Sequence, residues 1–166
     1  MPKDSDKLDW EVELGVVIGT EGRNVSEANS LGHVAGCCVL NDVSERGFQF
    51  QSNQWTKGKS FDGLGPIGPW LVTADEIPDA QALEMSLDVN GERMQTGNTA
   101  NMIFSIAYLI SYLSRYMTLL PGDIIATGTP SGVGMGKKPH PIYLKAGDEV
   151  TLTVDRLGRQ TQKIIC

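Results

Sequence analysis

Three acidic residues carry the chemistry this sequence is best equipped to do. Glu11 and Glu13 stand two apart in Asp9-Trp-Glu-Val-Glu-Leu-Gly-Val-Val-Ile-Gly19, where Trp10, Val12, Leu14, Val16 and Ile18 are all apolar. Such alternation marks a strand with one face to a core, and residues two apart share a face. The two carboxylates then project together, about 7 Å apart at the backbone. At that separation they repel by about 2 kcal/mol at an effective dielectric of about 20. Water relieves the repulsion on an open face; in a cleft, a cation or a raised pKa must. Asp42 ends the apolar run Val34-Ala-Gly-Cys-Cys-Val-Leu40 at Asn41-Asp42, where the chain turns polar, a usual place for a functional side chain. Plain alternatives stand beside these readings. Glu-x-Glu is also the solvated face of an amphipathic strand, and Asp42 is also a turn or helix cap. If the three converge, oxygen ligands on rigid strands suit Mg²⁺ or Mn²⁺, with Ca²⁺ the third candidate.

Two further segments bear on the same site. Lys59, in Lys57-Gly-Lys-Ser-Phe-Asp62, is either solvated or placed to neutralise a developing enolate. The loop Gly128-Thr-Pro-Ser-Gly-Val-Gly-Met-Gly136 either wraps an anion with backbone N–H groups or is a surface loop. It departs from the Walker pattern, because Gly136-Lys137 is followed by Lys138 rather than Ser or Thr.

The elements that must position these residues read as a β-rich chain. Strands are expected at 10–18, 33–40, 66–73 and 124–127, with a short helix at 26–31 capped by Ser26 and a loop or short helix at 44–54. Asn90-Gly91 between 83–89 and 93–96 signals a hairpin, and a second hairpin turns at Arg156-Leu-Gly158. One long helix is expected over 99–117, where Met102, Ile103, Ile106, Leu109, Ile110, Leu113 and Met117 recur at three and four. Together they make a mixed, β-rich (α+β) single domain over residues 1–166, long enough to bury a real core.

Composition narrows the function classes. A net charge of −6 and no stripe of Lys and Arg argue against nucleic acid as the main partner. The 102–117 stretch holds Ser105, Ser111, Ser114 and Arg115, too polar to span a bilayer, so no membrane role is expected and the cytoplasm is the expected location. Cys37, Cys38 and Cys166 show no Cys-x-x-Cys spacing, and the adjacent pair reads as buried small hydrophobes.

Taken in order, these stretches resemble the fumarylacetoacetate hydrolase family. The likeness rests on Asp9 to Gly19, Asn41-Asp-Val-Ser-Glu-Arg46 with Gln49, Gly58-Lys-Ser-Phe-Asp62 running into Gly65-Pro-Ile-Gly-Pro69, and Pro121-Gly-Asp-Ile-Ile-Ala-Thr-Gly-Thr-Pro-Ser-Gly-Val-Gly134. The resemblance implies a β-roll of mixed sheets with one long packed helix, and usually a homodimer. By the same resemblance Glu11, Glu13 and Asp42 are metal ligands for Mg²⁺ or Mn²⁺, and Lys59 is the catalytic lysine beside the substrate oxygen. The resemblance also implies that Thr129 helps bind the substrate carboxylate through its hydroxyl and backbone, that Gln49 contacts substrate, and that Arg46 is a neighbouring substrate-binding candidate. The implied activity is metal-dependent hydrolysis of a C–C bond in a small dioxo acid, of acylpyruvate or 2,4-dioxo-3-deoxy sugar acid type. The latter group is often labelled ureidoglycolate lyase. Decarboxylation, tautomerisation or lyase chemistry on the same metal-held oxo acid is the alternative.

One departure stands out. The family pattern carries an N-terminal His/Glu pair that activates water, whereas eight residues precede Asp9 here, and His33 and His140 match neither position. The chain is therefore expected to be shortened relative to the family. Hydrolysis is then weakened or completed by a partner subunit, or the activity is one needing only metal and lysine, or the domain binds metal without catalysis.

Overall fold

Backbone hydrogen bonding around Trp10 explains how the first strand is cut. In the computed structural model, which describes residues 1–165, Leu8–Asp9 (β1) and Val12–Ile18 (β2) are separate strands. Between them, side chains take the backbone donors: Trp10 N bonds Asp9 Oδ1 at 2.8 Å, Glu11 N bonds Asn41 Oδ1 at 3.1 Å, and Val12 N bonds Gln95 Oε1 at 3.0 Å. The predicted alternation holds throughout, with Trp10, Val12, Leu14, Val16 and Ile18 all in the core.

The remaining elements run in chain order: α1 (Glu27–Ser30), β3 (Val34–Asn41), β4 (Ser44–Glu45), α2 (Arg46–Gln49), α3 (Thr56–Lys59), β5 (Ile67–Thr73), β6 (Glu84–Val89), β7 (Glu92–Asn98), α4 (Ile106–Ser114), β8 (Ile124–Ala126), β9 (Glu149–Val154) and β10 (Gly158–Lys163). Two four-stranded sheets, ordered β5-β3-β2-β8 and β10-β9-β6-β7, enclose the core, and β1 pairs with β4. Leu14, Val16, Val39, Leu87, Val150 and Leu152 fill the space between the sheets, none more than slightly exposed. This is the expected sheet-dominated α+β class. One detail differs: every described strand pair is antiparallel, where the resemblance implied mixed sheets.

Both hairpins form where turn chemistry placed them. Asn90 and Gly91 sit at φ 52° and 80°, the left-handed pair of a type I′ turn. Cys37 and Cys38 are buried free thiols, as expected, and burial pushes the Cys37 thiol up to about 12. Cys166 lies outside the described residues.

The helix expected over 99–117 is a correction. Only Ile106–Ser114 is α-helical, preceded by a 3₁₀ turn at Thr99–Asn101. Asn98 accepts from Ala100 N and Ser105 from Tyr108 N, so each starts a fresh turn and the intervening Met102 is extended. Ile106 and Ile110 enter the core, while Phe104, Tyr108 and Tyr112 stack with ring centroids 4.9 and 5.8 Å apart and Tyr116 lies tilted against Tyr112 at 5.1 Å. Ser26 does occupy the N-cap position of α1, but its side chain makes no cap bond. No helix of the described residues is long and apolar enough to cross a membrane.

Candidate metal centre

The register between β2 and β3 brings the acidic residues together. Val12 lies opposite Asn41 and Glu13 opposite Leu40, and Asp42 N continues the pairing by donating to Glu11 O at 2.9 Å. One carboxylate oxygen from each of Glu11, Glu13 and Asp42 consequently lies within 4.8 Å of the other two. Glu11 and Glu13 are buried and Asp42 half-buried, so solvent does not screen them. The solvated-face reading of Glu-x-Glu is thereby removed. Asp42 caps no helix either: α2 is capped by Glu45, whose side chain accepts from Phe48 N.

Lys59 reaches this cluster from α3. Its ammonium stands 2.8 Å from Glu11 Oε2 and 2.5 Å from Asp42 Oδ2. Gly58 allows the approach, because a Cβ there would lie 2.7 Å from the Gln49 backbone nitrogen. Arg46 is buried with Nε 2.9 Å from Asp9 Oδ2, Nη2 2.6 Å from Glu11 Oε1 and Nη1 2.9 Å from Gln49 Oε1. Gln49 is itself buried, and its Nε2 donates to no protein acceptor among the described residues.

The Gly-rich loop spends its N–H groups on protein carboxylates. Gly128 N donates to Glu13 Oε2 at 2.8 Å, while Gly134 N and Met135 N donate to Asp9 at 2.6 and 3.0 Å. The Thr129 hydroxyl is held by protein partners. That hydroxyl donates to Val12 O at 2.9 Å and accepts from Gln95 Nε2 at 2.8 Å, which leaves the Thr129 backbone N–H as its available donor. A cavity of about 440 Å³ opens beside Gly128 and Thr129, bounded also by Met85, Asn98, Met102 and Phe104. That volume suits a small organic ligand.

Electrostatics mark the cluster as short of positive charge. Among the described residues, Asp9, Glu11, Glu13 and Asp42 face only the cations of Arg46 and Lys59, leaving two negative charges uncompensated when all are ionised. Glu13 responds most: burial pushes its carboxyl up to about 8, with Asp42 and Glu11 adding to the rise and the Gly128 N–H opposing it. Burial also raises Asp42 despite Lys59 beside it. Lys59 is raised as well, since its bonds to Asp42 and Glu11 outweigh its own burial. A hard divalent cation fits this set. Carboxylate oxygens ring such ions at about 2.0–2.6 Å, so opposed ligands stand about 4–5 Å apart, and the charge of the ion equals the deficit.

Sequence reasoning missed three supporting residues. Asp9, fully buried, anchors Arg46; Asn41 and Gln95 hold the Glu11 and Val12 N–H groups. Only Asp9 left a signal, since it stands two residues before Glu11 on the same side of the alternation. His33, read as structural, bonds Thr20 O at 3.0 Å through Nδ1, and His140 is exposed.

Antiparallel sheets that hold a buried three-carboxylate centre with an attendant lysine place the chain in a known class of β-rich fold. The fumarylacetoacetate (FAA) hydrolase C-terminal family matches residues 1–165, and the chain belongs to that family. A Burkholderia ambifaria relative with a general hydrolase name is 61% identical over 163 residues, covering 98% of this chain and 58% of its own length. Among solved structures, 2-hydroxyhepta-2,4-diene-1,7-dioate isomerase from Mycobacterium marinum superposes with a TM-score of 0.89 at 38% identity, over 99% of this chain and 61% of that one. Maleylpyruvate hydrolase from Sphingobium sp. SYK-6 gives 0.84 at 34%, over 96% and 55%. The chain thus spans little more than half the length of these relatives. None of the three carries the sugar-acid or ureidoglycolate label that the sequence suggested.

Proposed function

We propose that this domain binds one divalent cation through Glu11, Glu13 and Asp42 and acts on an acylpyruvate-type dioxo acid, cleaving its C–C bond by hydrolysis. The observation that carries the reading is the convergence of three carboxylates within 4.8 Å, two of them bridged by Lys59. Family membership and the names of its hydrolase and isomerase relatives support the substrate type. When bound, Mg²⁺ or Mn²⁺ would supply Lewis-acid polarisation of the substrate oxygens.

The chain's own groups supply the rest of the electrophilic side. The Lys59 ammonium keeps its proton, because Glu11 and Asp42 hold its pKa up, and so neutralises charge growing on a substrate oxygen rather than acting as a base. Thr129 N–H and Gln49 Nε2 are the free donors for the carboxylate end. Burial of Glu11, Glu13 and Arg46 excludes bulk water and strengthens each of these interactions. In the hydrolysis, water gives up a proton as its oxygen bonds to the acyl carbon, the C–C bond breaks with its electron pair going to the methylene carbon, and that carbon takes up a proton, so none is gained or lost overall.

A second reading has its own support. The described residues around the carboxylates are electrophiles and acids, and Lys59, Arg46 and Gln49 serve isomerisation or decarboxylation as well as hydrolysis. A homodimer is part of the proposal, to be checked by light scattering. Turnover decides the reaction. Acetylpyruvate and oxaloacetate are each incubated with the chain and Mn²⁺, with chelator as control, and loss of the diketone or oxaloacetate absorbance is followed. Acetylpyruvate cleavage upholds the hydrolase; oxaloacetate turnover alone moves the reading to decarboxylation. Neither, with Mn²⁺ and oxalate still binding, overturns catalysis and leaves a binding module.

A further inference from the structure

Arginine and carboxylate ordinarily meet as a two-pronged fork that occupies both carboxylate oxygens. Arg46 and Glu11 do not. Glu11 Oε1 accepts from Arg46 Nη2 at 2.6 Å, while Glu11 Oε2 is left to Lys59 Nζ at 2.8 Å on the side of Asp42. What prevents the fork is Asp9, which takes Arg46 Nε at 2.9 Å, and Gln49, which takes Nη1. We propose that Asp9 is a positioning residue: it holds Arg46 to a single contact with Glu11 and so keeps the second Glu11 oxygen available to the cation. The inference rests on the metal reading above.

Asp9 has no spare capacity for a direct role. Its Oδ1 accepts from Trp10 N at 2.8 Å and Gly134 N at 2.6 Å, and its Oδ2 from Met135 N at 3.0 Å and from Arg46 Nε. Four donors saturate a fully buried carboxylate, which therefore neither ligates metal nor meets substrate. The same four bonds tie the Gly134–Met135 turn to the arginine, so the loop carrying Gly128 and the ligand Glu11 share one anchor. Gly134 is confined there: a Cβ would lie 2.7 Å from Asp9 Oδ1 and 2.0 Å from Ile142 O. Asparagine at position 9 can still accept from Trp10 and Gly134, but it offers Arg46 no charge. The guanidinium is then free to close its fork on Glu11.

Mn²⁺ affinity, read from the free-ion electron paramagnetic resonance signal, tests this in a cycle of wild type, Asp9→Asn, Arg46→Met and the double variant. Asp9→Asn is expected to weaken Mn²⁺ binding about 10–100-fold, the usual effect of an outer partner of a metal ligand, with circular dichroism unchanged. The double variant should bind no more weakly than Arg46→Met alone, because Asp9 acts through that arginine. Unchanged affinity in Asp9→Asn, or losses that multiply in the double variant, overturns the inference. If Asp9→Asn does not fold, Arg46→Met and the charge-balanced double variant decide by themselves: equal affinity supports it, and a further tenfold loss overturns it. Wild type that binds no Mn²⁺ overturns the metal reading and this inference with it; wild type that binds normally beside an unaffected Asp9→Asn overturns this inference alone.

Discussion

Metal binding at this centre should expel a proton, and the size of the effect follows from Glu13. Its folded pKa of about 8 lies far above the ordinary 4.5, chiefly through burial. In metal-free buffer the raised value means that Glu13 favours the fold below pH 4.5 and that this contribution is lost as pH rises through 8, by up to about 5 kcal/mol. A cation that must displace this proton binds more weakly as pH falls. For one group with a pKa of about 8, apparent affinity drops about 50-fold from pH 8 to pH 6, or about 2 kcal/mol. Asp42, raised in the same direction, steepens the slope. Isothermal titration with Mn²⁺ at pH 6, 7 and 8, in buffers of different ionisation enthalpy, measures affinity and protons released together. About one proton per ion should leave at pH 6. Melting of the metal-free protein should move to lower temperature from pH 6 to pH 8, and Mn²⁺ should flatten that dependence. Equal affinity at pH 6 and 8 with no proton release would refute the claim that the carboxylates are short of positive charge.

Other outcomes follow from named contacts. Asp42→Asn removes one of the two uncompensated charges and one ligand: Mn²⁺ affinity should fall by more than the ~10–100-fold typical of outer partners, while metal-free melting at pH 7.5 is unchanged or higher. A stability loss above about 2 kcal/mol would make Asp42 structural instead. Lys59→Met leaves Glu11 Oε2 and Asp42 Oδ2 without their ammonium, so Mn²⁺ should bind as well or better while diketone turnover disappears; equal loss of both would make the lysine part of the fold. Thr129→Val strands Val12 O and one of the two Gln95 Nε2 hydrogens, the other staying on Pro130 O, and denaturant titration should register about 1–3 kcal/mol with KM nearly unchanged. A large KM rise without destabilisation would return that hydroxyl to the substrate.

Much of this domain was legible from local pattern. Alternation from Trp10 to Ile18, the Asn90-Gly91 turn and the buried Cys37-Cys38 pair are properties of neighbouring residues, and each stands as read. The helix over 99–117 failed for a local reason of the same kind, since apolar spacing hid two side-chain caps at Asn98 and Ser105. Motif order along the chain was enough to pick out the family and the candidate ligands. What no local pattern contains is register. Placing Val12 against Asn41 brings Asp42 onto Glu11, and packing Gly58 on Gln49 delivers Lys59 to both. Tertiary contacts likewise committed the Thr129 hydroxyl to Val12 and Gln95, and set a fully buried Asp9 against Arg46. Residue types determined which groups were available for chemistry; long-range pairing decided which were left free, because a hydrogen bond to a distant partner consumes a donor or lone pair that the sequence alone counts as available.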